Sequence, residues 1–124
     1  MLSKVKMVNA RRAIESLYDG TCTITERKSE RKANMSSGFV DVVVLENQPC
    51  RLSYKTVSQN SPTESAAKLV QVAKVFLAPD VRVKPGSRLT ITQNGVTTDF
   101  KCSGQPAFYS THQEIVLELF EGWS

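Results

Sequence analysis

The side chains best suited to chemistry surround the single histidine, near the carboxyl-terminal end of the chain. His112 follows Ser110 and Thr111, but no GxSxG turn accompanies them to present a nucleophile to an imidazole base. Glu114 and Glu118 share one face of a predicted strand, as two glycosidase carboxylates would. Outward acids on an alternating strand are more often solvated, and no glycine-rich phosphate-binding motif occurs. We therefore expect no catalytic residues and no enzymatic activity.

The three cysteines do not form a metal-binding pattern. Cys22, Cys50 and Cys102 are widely spaced, with no CxxC pair and one histidine in the whole chain. A structural zinc site needs four ligands at short spacing, so we expect neither a metal nor a cofactor. Each cysteine alternates with apolar residues, which predicts a small buried side chain in a reducing compartment.

Positive charge is concentrated in the first half of the chain. The net charge is +4, from 16 Lys and Arg against 12 Asp and Glu, which is mild for a nucleic-acid-binding domain. One segment holds four basic residues against one glutamate: Arg27, Lys28, Arg31 and Lys32. Such a cluster can contact duplex phosphates without help from aromatic rings, although solvated loop charges remain the alternative. Aromatic residues placed to stack on bases are few: Tyr54 between Arg51 and Lys55, and the Phe108–Tyr109 pair.

The elements that must position these residues begin with a helix. Apolar residues recur at spacings of three and four, which predicts one buried stripe: Met7, Ala10, Ile14, Leu17 and Tyr18. The rest of the helix is basic: Lys4, Lys6, Arg11 and Arg12. That basic face is either solvated or a docking surface for an acidic partner.

After Gly20 the period changes from 3.6 to two, which predicts strands. We predict them at residues 21–25, 39–45, 49–54, 70–78, 89–92, 96–102 and 115–119, with a hairpin at Asn94-Gly95. The predicted fold is mainly β, a small antiparallel β-barrel of six or seven short strands with an amino-terminal α-helix. Two long polar loops are expected at residues 27–38 and 56–68.

Length and composition limit the remaining possibilities. With 124 residues the chain has the size of one domain, for which we expect a helix over residues 1–19 and a barrel over 20–121. No apolar run is long enough to cross a membrane, and the first residues do not have the apolar stretch of a signal peptide.

The second half of the chain resembles the head-closure (head–tail joining, connector or adaptor) proteins of tailed bacteriophages. The resemblance rests on residues 75–81 (VFLAPDV), 83–91 (VKPGSRLTI), the Asn94-Gly95 hairpin, 100–103 (FKCS) and 110–118 (STHQEIVLE), and it extends over roughly residues 20–120. In that family a strand leads to a turn of the type D-V/I-x-x-G-D-R-I, then a hairpin and a closing strand. Two features differ: Ser87 stands where the family usually has an acid before Arg88, and a helix precedes the barrel.

The resemblance implies a structural virion protein without catalytic residues, made in the bacterial cytoplasm. It implies a homo-oligomeric ring under the portal, which extends the DNA channel, retains the genome and docks the tail. The partners would be a portal or adaptor protein, a tail protein and non-specific duplex DNA, with no membrane. One of the two long loops, residues 27–38 or 56–68, would project into the channel and could gate it; if it is the first, its four basic residues would meet the DNA phosphates. The ring interface would pair the helix charges with Glu114, Glu118 and Glu121. A tail-terminator or tail-completion ring protein is one alternative, and a monomeric nucleic-acid-binding β-barrel is another.

Overall fold

The computed structural model describes residues 4–31, 37–59 and 68–123, which form one α-helix and seven strands. In chain order they are α1 (Lys4–Glu15), β1 (Gly20–Arg31), β2 (Ser37–Gln59), β3 (Lys68–Leu77), β4 (Arg88–Gln93), β5 (Val96–Cys102), β6 (Ala107–Phe108) and β7 (Gln113–Leu119). Asn94 and Gly95 turn the chain between β4 and β5, both with positive φ, as the hairpin prediction requires.

The strands form a closed circuit of antiparallel pairings. β1 lies between β2 and β4, β5 lies between β4 and β7, and β3 joins β7 to β2. Six strands are therefore hydrogen-bonded in a ring, and the two-residue β6 is added to β7. This confirms the predicted mainly β, antiparallel fold with one helix.

The hydrophobic core fills the inside of this ring, and it is formed by alternate side chains along each strand. Its fully buried apolar members come from all six strands of the ring: Cys22, Ile24, Cys50, Val75, Leu77, Leu89, Ile91, Cys102 and Ile115. The alternation read from the sequence is correct at these positions, and the three cysteines are buried and unpaired as predicted. It fails at Tyr54 and Leu119, which are in phase with the core residues of their strands but are 51% and 65% exposed.

β2 is a single strand of 23 residues where two short strands were predicted. It pairs with β1 up to Cys50 and with β3 from Arg51 onwards, so it passes from one neighbour to the other around the ring. Extra residues bulge out of the ladder opposite residues 22–25, and Asn47 has a φ of 51° at one of these irregularities. The polar sequence around Asn47 marks a bulge instead of a turn, because asparagine tolerates this conformation within a continuous strand.

Only parts of the two predicted long loops lie within the described residues, and those parts belong to β-hairpins. Residues 26–31 of β1 and 37–42 of β2 pair with each other beyond the end of β4, and we call this hairpin arm 1. Residues 55–59 of β2 and 68–72 of β3 pair beyond the end of β7, and we call it arm 2. The segments 32–36 and 60–67 lie outside the described residues. A two-stranded arm has solvent on both faces, so its sequence need not alternate and resembles that of a loop.

Two glutamine amides replace backbone partners inside this frame. Gln93 accepts from the Leu52 N–H at 2.7 Å and donates to the Leu52 carbonyl at 3.0 Å, beside the point where β2 leaves β1. Gln113 is fully buried and donates to the carbonyls of Ala78 and Val81 in the turn after β3. Sequence reasoning assigned neither residue a role, because glutamine is usually exposed.

An ion pair links the helix to the ring of strands. Arg11 contacts Glu15 one turn away and Asp80 in the turn after β3, both at 2.9 Å. Of the predicted apolar stripe, Ala10, Ile14 and Tyr18 are half-buried, whereas Leu17, beyond the helix end, is 60% exposed. No helix in the described part of the chain is both long and apolar enough to span a bilayer.

Candidate nucleic-acid interface

A cleft of about 630 Å³ opens where arm 1 separates from β4. Arm 1 lines one side of it and the turn of residues 84–87 lines the other. Three cations and two aromatic rings border it, and we call it the basic cleft: Arg27, Lys28, Lys84, Phe39 and Trp123. Arg27 and Lys28 were predicted from the sequence to contact DNA, whereas Lys84, Phe39 and Trp123 were not.

Arm 1 stacks a guanidinium on an exposed ring. Arg27 pairs with Asp41 and Ser29 pairs with Phe39, so Arg27 and Phe39 are diagonal neighbours across the hairpin. The Arg27 guanidinium lies 4.1 Å from the centre of the Phe39 ring, within cation–π range. Because Phe39 is still 63% exposed, the pair offers both a charge and an apolar surface to a partner.

A carboxylate at the bottom of the cleft holds two lysines near each other. Glu26, whose side chain is 13% exposed, lies 3.7 Å from the Lys84 ammonium and 4.0 Å from that of Lys28. Counting Arg27, the lining carries three positive charges against one negative charge. The cleft therefore retains a positive charge, which favours an anionic partner such as a phosphate.

The far wall of the cleft is supported by Arg88. Its guanidinium lies 4.0 Å from Asp41 of arm 1 and about 5.5 Å from the Phe120 ring, and Trp123 is 5.7 Å away. Phe120 and Trp123 meet edge to face with centroids 5.0 Å apart. Arg88 thus joins arm 1 to the end of the chain. No local signal in the sequence joins these residues, because they are distant along the chain.

Comparison with known proteins finds a likeness in fold. No family model and no curated protein matches the sequence. Among solved structures the chain is similar to protein xkdH of the phage-like element PBSX from Bacillus subtilis, with a TM-score of 0.51 and 12% identity. The match covers 82% of this chain and 93% of that one. At this identity the likeness shows a shared fold.

Of the other two predicted DNA-contacting residues, one lies further along arm 1. Arg31 is the last residue of β1 and pairs with Ser37, and Lys32 lies outside the described residues. Arg31 is therefore in a strand and not, as predicted, in a loop, for the reason given for both arms.

The predicted ring-interface charges do not all remain available to a partner. Arg11 is already bound to Glu15 and Asp80. Glu114 is bound to Lys74 at 3.7 Å and to His112 at 3.2 Å. Among the described residues, the remaining ones with described side chains form no salt bridge: Arg12, Glu118 and Glu121. Lys4 and Lys6 belong to the first turn of the helix.

Glu118 and Glu121 line a second groove, of about 610 Å³, where arm 2 separates from β7. Two exposed apolar side chains border it, Leu119 at 65% and Tyr54 at 51% exposed. We call it the acidic groove. It lies at the base of arm 2 as the basic cleft lies at the base of arm 1.

The histidine is bound within a local network. Thr111 Oγ1 is 3.2 Å from His112 Nδ1, and Glu114 Oε2 is 3.2 Å from Nε2. The imidazole also stacks on Tyr109, with ring centres 4.8 Å apart. This hydroxyl–imidazole–carboxylate order matches a catalytic relay, but His112 lines neither the basic cleft nor the acidic groove. Ser110, the other hydroxyl residue that precedes His112 in the sequence, is exposed.

The cysteine thiols are held in their neutral form by the core. Burial raises the pKa of Cys50 to about 12 and raises the pKa values of Cys22 and Cys102 as well. Thiols so protonated are poor nucleophiles and poor metal ligands.

Proposed function

We propose that this chain is a structural protein of a tailed phage that forms a head-closure, or head–tail connector, ring under the portal. Such a ring would extend the DNA channel, retain the packaged genome and dock the tail, and it would need no catalytic residue. Its partners would be a portal or adaptor protein on one side, a tail protein on the other, and the duplex between them. Its place would be the head–tail interface of the virion.

The observation that carries the proposal is the basic cleft at the base of arm 1. It holds Arg27 and Lys28 beside an exposed ring, on a hairpin that extends past the ring of strands, and Lys84 on the facing turn. Cations on such a projection suit diffuse contact with a phosphate backbone, which requires no base recognition. The fold shared with a protein of a phage-like element supports the same assignment. The sequence resemblance to head-closure proteins adds the ring and the channel.

A monomeric nucleic-acid-binding protein is the second candidate, because of the rings in the basic cleft. Phe39 and Trp123 lie among its cations, as in proteins that stack single-stranded bases on aromatic side chains. The two functions differ in substrate. A channel contacts duplex DNA weakly and without sequence preference, whereas a stacking site prefers single strands.

Reconstitution with phage heads tests the proposal. Purified protein is mixed with DNA-filled heads that lack this component, and the heads are imaged by electron microscopy. We expect ring-shaped density under the portal and recovery of tail attachment. Attachment to tail tubes alone would assign the protein to the tail side instead. Binding to neither, with tight binding to single-stranded DNA, would favour the second candidate.

The DNA contact has its own test in a triple variant, Arg27→Ala/Lys28→Ala/Lys84→Ala. Each lost phosphate contact lowers the slope of log K against log salt by about 0.9, so we expect a decrease of up to about 3 for duplex DNA. The control Arg51→Ala/Lys55→Ala removes two exposed cations from outside the cleft. A control variant that loses as much affinity as the triple variant would refute the assignment of the cleft.

A further inference from the structure

The acidic groove and the basic helix lie at opposite ends of one pair of strands. The groove adjoins the Ala73–Leu117 end of the β3–β7 ladder. The helix is bound through Arg11 to Asp80, in the turn that follows the other end of the ladder, where Leu77 pairs with Gln113. The ladder has five residue pairs, so its two ends are about 13 Å apart at about 3.3 Å per residue.

The two ends have opposite charge and each exposes apolar surface. The helix contains four basic residues and one acidic residue, and Arg12 is exposed with no ion-pair partner among the described side chains. Leu17, just beyond the helix, is largely exposed. The groove presents Glu118 and Glu121 beside exposed Leu119 and Tyr54.

We propose that the acidic groove of one copy receives the basic helix of a second copy of this chain. The proposal rests on the proposed ring function, since a ring needs a head-to-tail contact between two different surfaces of the same chain. Complementary charge on two separated surfaces provides the direction of assembly, and apolar contact provides area. Relative to the interface expected from sequence, Glu114 and Arg11 are not used, because each is paired within its own chain.

Charge exchange between the two surfaces tests this contact. The groove variant is Glu118→Lys/Glu121→Lys, and the helix variant is Lys4→Glu/Arg12→Glu. Self-association is measured by analytical ultracentrifugation at low salt, and thermal unfolding checks that each variant folds. We expect each variant alone to associate at least tenfold more weakly than the natural chain, because it brings like charges together.

Recombining the variants provides the decisive comparison. An equal mixture of the groove and helix variants restores opposite charges at every contact when the two alternate, so association should return. A chain that carries all four substitutions should also associate. The control Asp19→Lys/Glu46→Lys makes the same change in net charge outside the groove and should not weaken association.

Three results would overturn the inference: a natural chain that does not associate up to its solubility limit, a groove variant that associates normally, or a mixture that fails to recover. The proposed function is judged separately, from binding of the natural chain to heads. Rings on heads that also form with the groove variant would reject this interface and leave the connector function. Charge-dependent association of a chain that does not bind heads would support this interface and reject the connector function.

Discussion

Replacing Gln93 should test whether a side-chain amide completes the ring of strands. β1 begins at Gly20, opposite Cys50, so no residue of β1 reaches Leu52. The Gln93 amide takes that place by pairing with both backbone groups of Leu52. Gln93→Leu keeps a side chain of similar size and removes both hydrogen bonds. It leaves the N–H and C=O of Leu52, a core residue 9% exposed, without protein partners.

The expected loss follows from these two groups. A buried polar group left unsatisfied costs about 1–3 kcal/mol, and the partly buried site gives the lower part of that range for each group. We expect the free energy of unfolding to fall by about 2–4 kcal/mol. For a chain of this size that lowers the melting temperature by about 6–20 °C.

Thermal and urea unfolding provide the measurement, with Gln105→Leu as the matched control. Gln105 is exposed, so its replacement should change the free energy of unfolding by about 0.5 kcal/mol or less. If the two leucine variants unfold at the same temperature, the amide of Gln93 does not complete the strand ring and the argument is refuted.

A pH series on Gln93→Glu makes the same test in the charged direction. The introduced carboxylate can accept from the Leu52 N–H but faces the Leu52 carbonyl, which repels it. The protonated acid can donate to that carbonyl, so its pKa should be raised in the folded state above the usual value of about 4.3. The variant should therefore approach the natural stability below pH 4 and lose stability as the pH rises toward 7. A constant difference across this range would contradict the assigned geometry.

The remaining predictions concern the packing beside Gln93 and the buried thiols. A Cβ at Gly20 would lie 3.1 Å from Gln93 Oε1 and 3.1 and 3.2 Å from two backbone oxygens, so Gly20→Ala should destabilise the fold. The loss of stability should be smaller when Gln93 has already been replaced by alanine. Additive losses in this double-mutant cycle would contradict the contact. A thiol reagent at pH 8 should modify the cysteines only as fast as the chain opens, and all three rapidly in urea, whereas rapid labelling of the native protein would show accessible thiols. The pKa of Cys50 is raised to about 12 in the folded state, above the unfolded value near 8.5. The neutral buried thiol therefore stabilises the fold in full below that unfolded value, and this stabilisation is lost as the pH rises. Unfolding midpoints should consequently fall above pH 9.

The core could be predicted from the sequence because each core strand has one wet face and one dry face. Cys22 and Ile24, for example, alternate with threonines, and both are fully buried. Alternation could not reveal that β2 is one strand, because the polar residues at its bulge resemble a turn and Asn47 adopts the conformation of one. It also could not reveal the arms, because none of their described side chains is buried in the core and their sequence does not alternate.

The candidate site was only partly predictable for a different reason. Arg27 and Lys28 belong to a basic run that is visible in the sequence, but Lys84 and Trp123 join them through the folded chain. The side chains that balance charge were equally hidden. Glu114 looks like a free outward acid in the sequence, but the fold brings Lys74 of the neighbouring strand, its diagonal neighbour in the ladder, within 3.7 Å. Strand register, which a single sequence does not determine, decides both outcomes.

Both grooves have one structural cause, which explains how binding surfaces arise on this ring without disturbing its core. β1 continues six residues past its pairing with β4, and β3 begins five residues before its pairing with β7. Where a long strand extends past a short neighbour, the ladder opens, and side chains of the long strand and of residues at or beside the end of its neighbour line the gap. None of the described residues in either arm belongs to the buried core. The charges of Arg27 and Lys28 on arm 1, and those of Glu118 and Glu121 at the end of β7 and beyond it, are therefore free of packing constraints, so the same fold can carry a basic cleft at the base of one arm and an acidic groove at the base of the other.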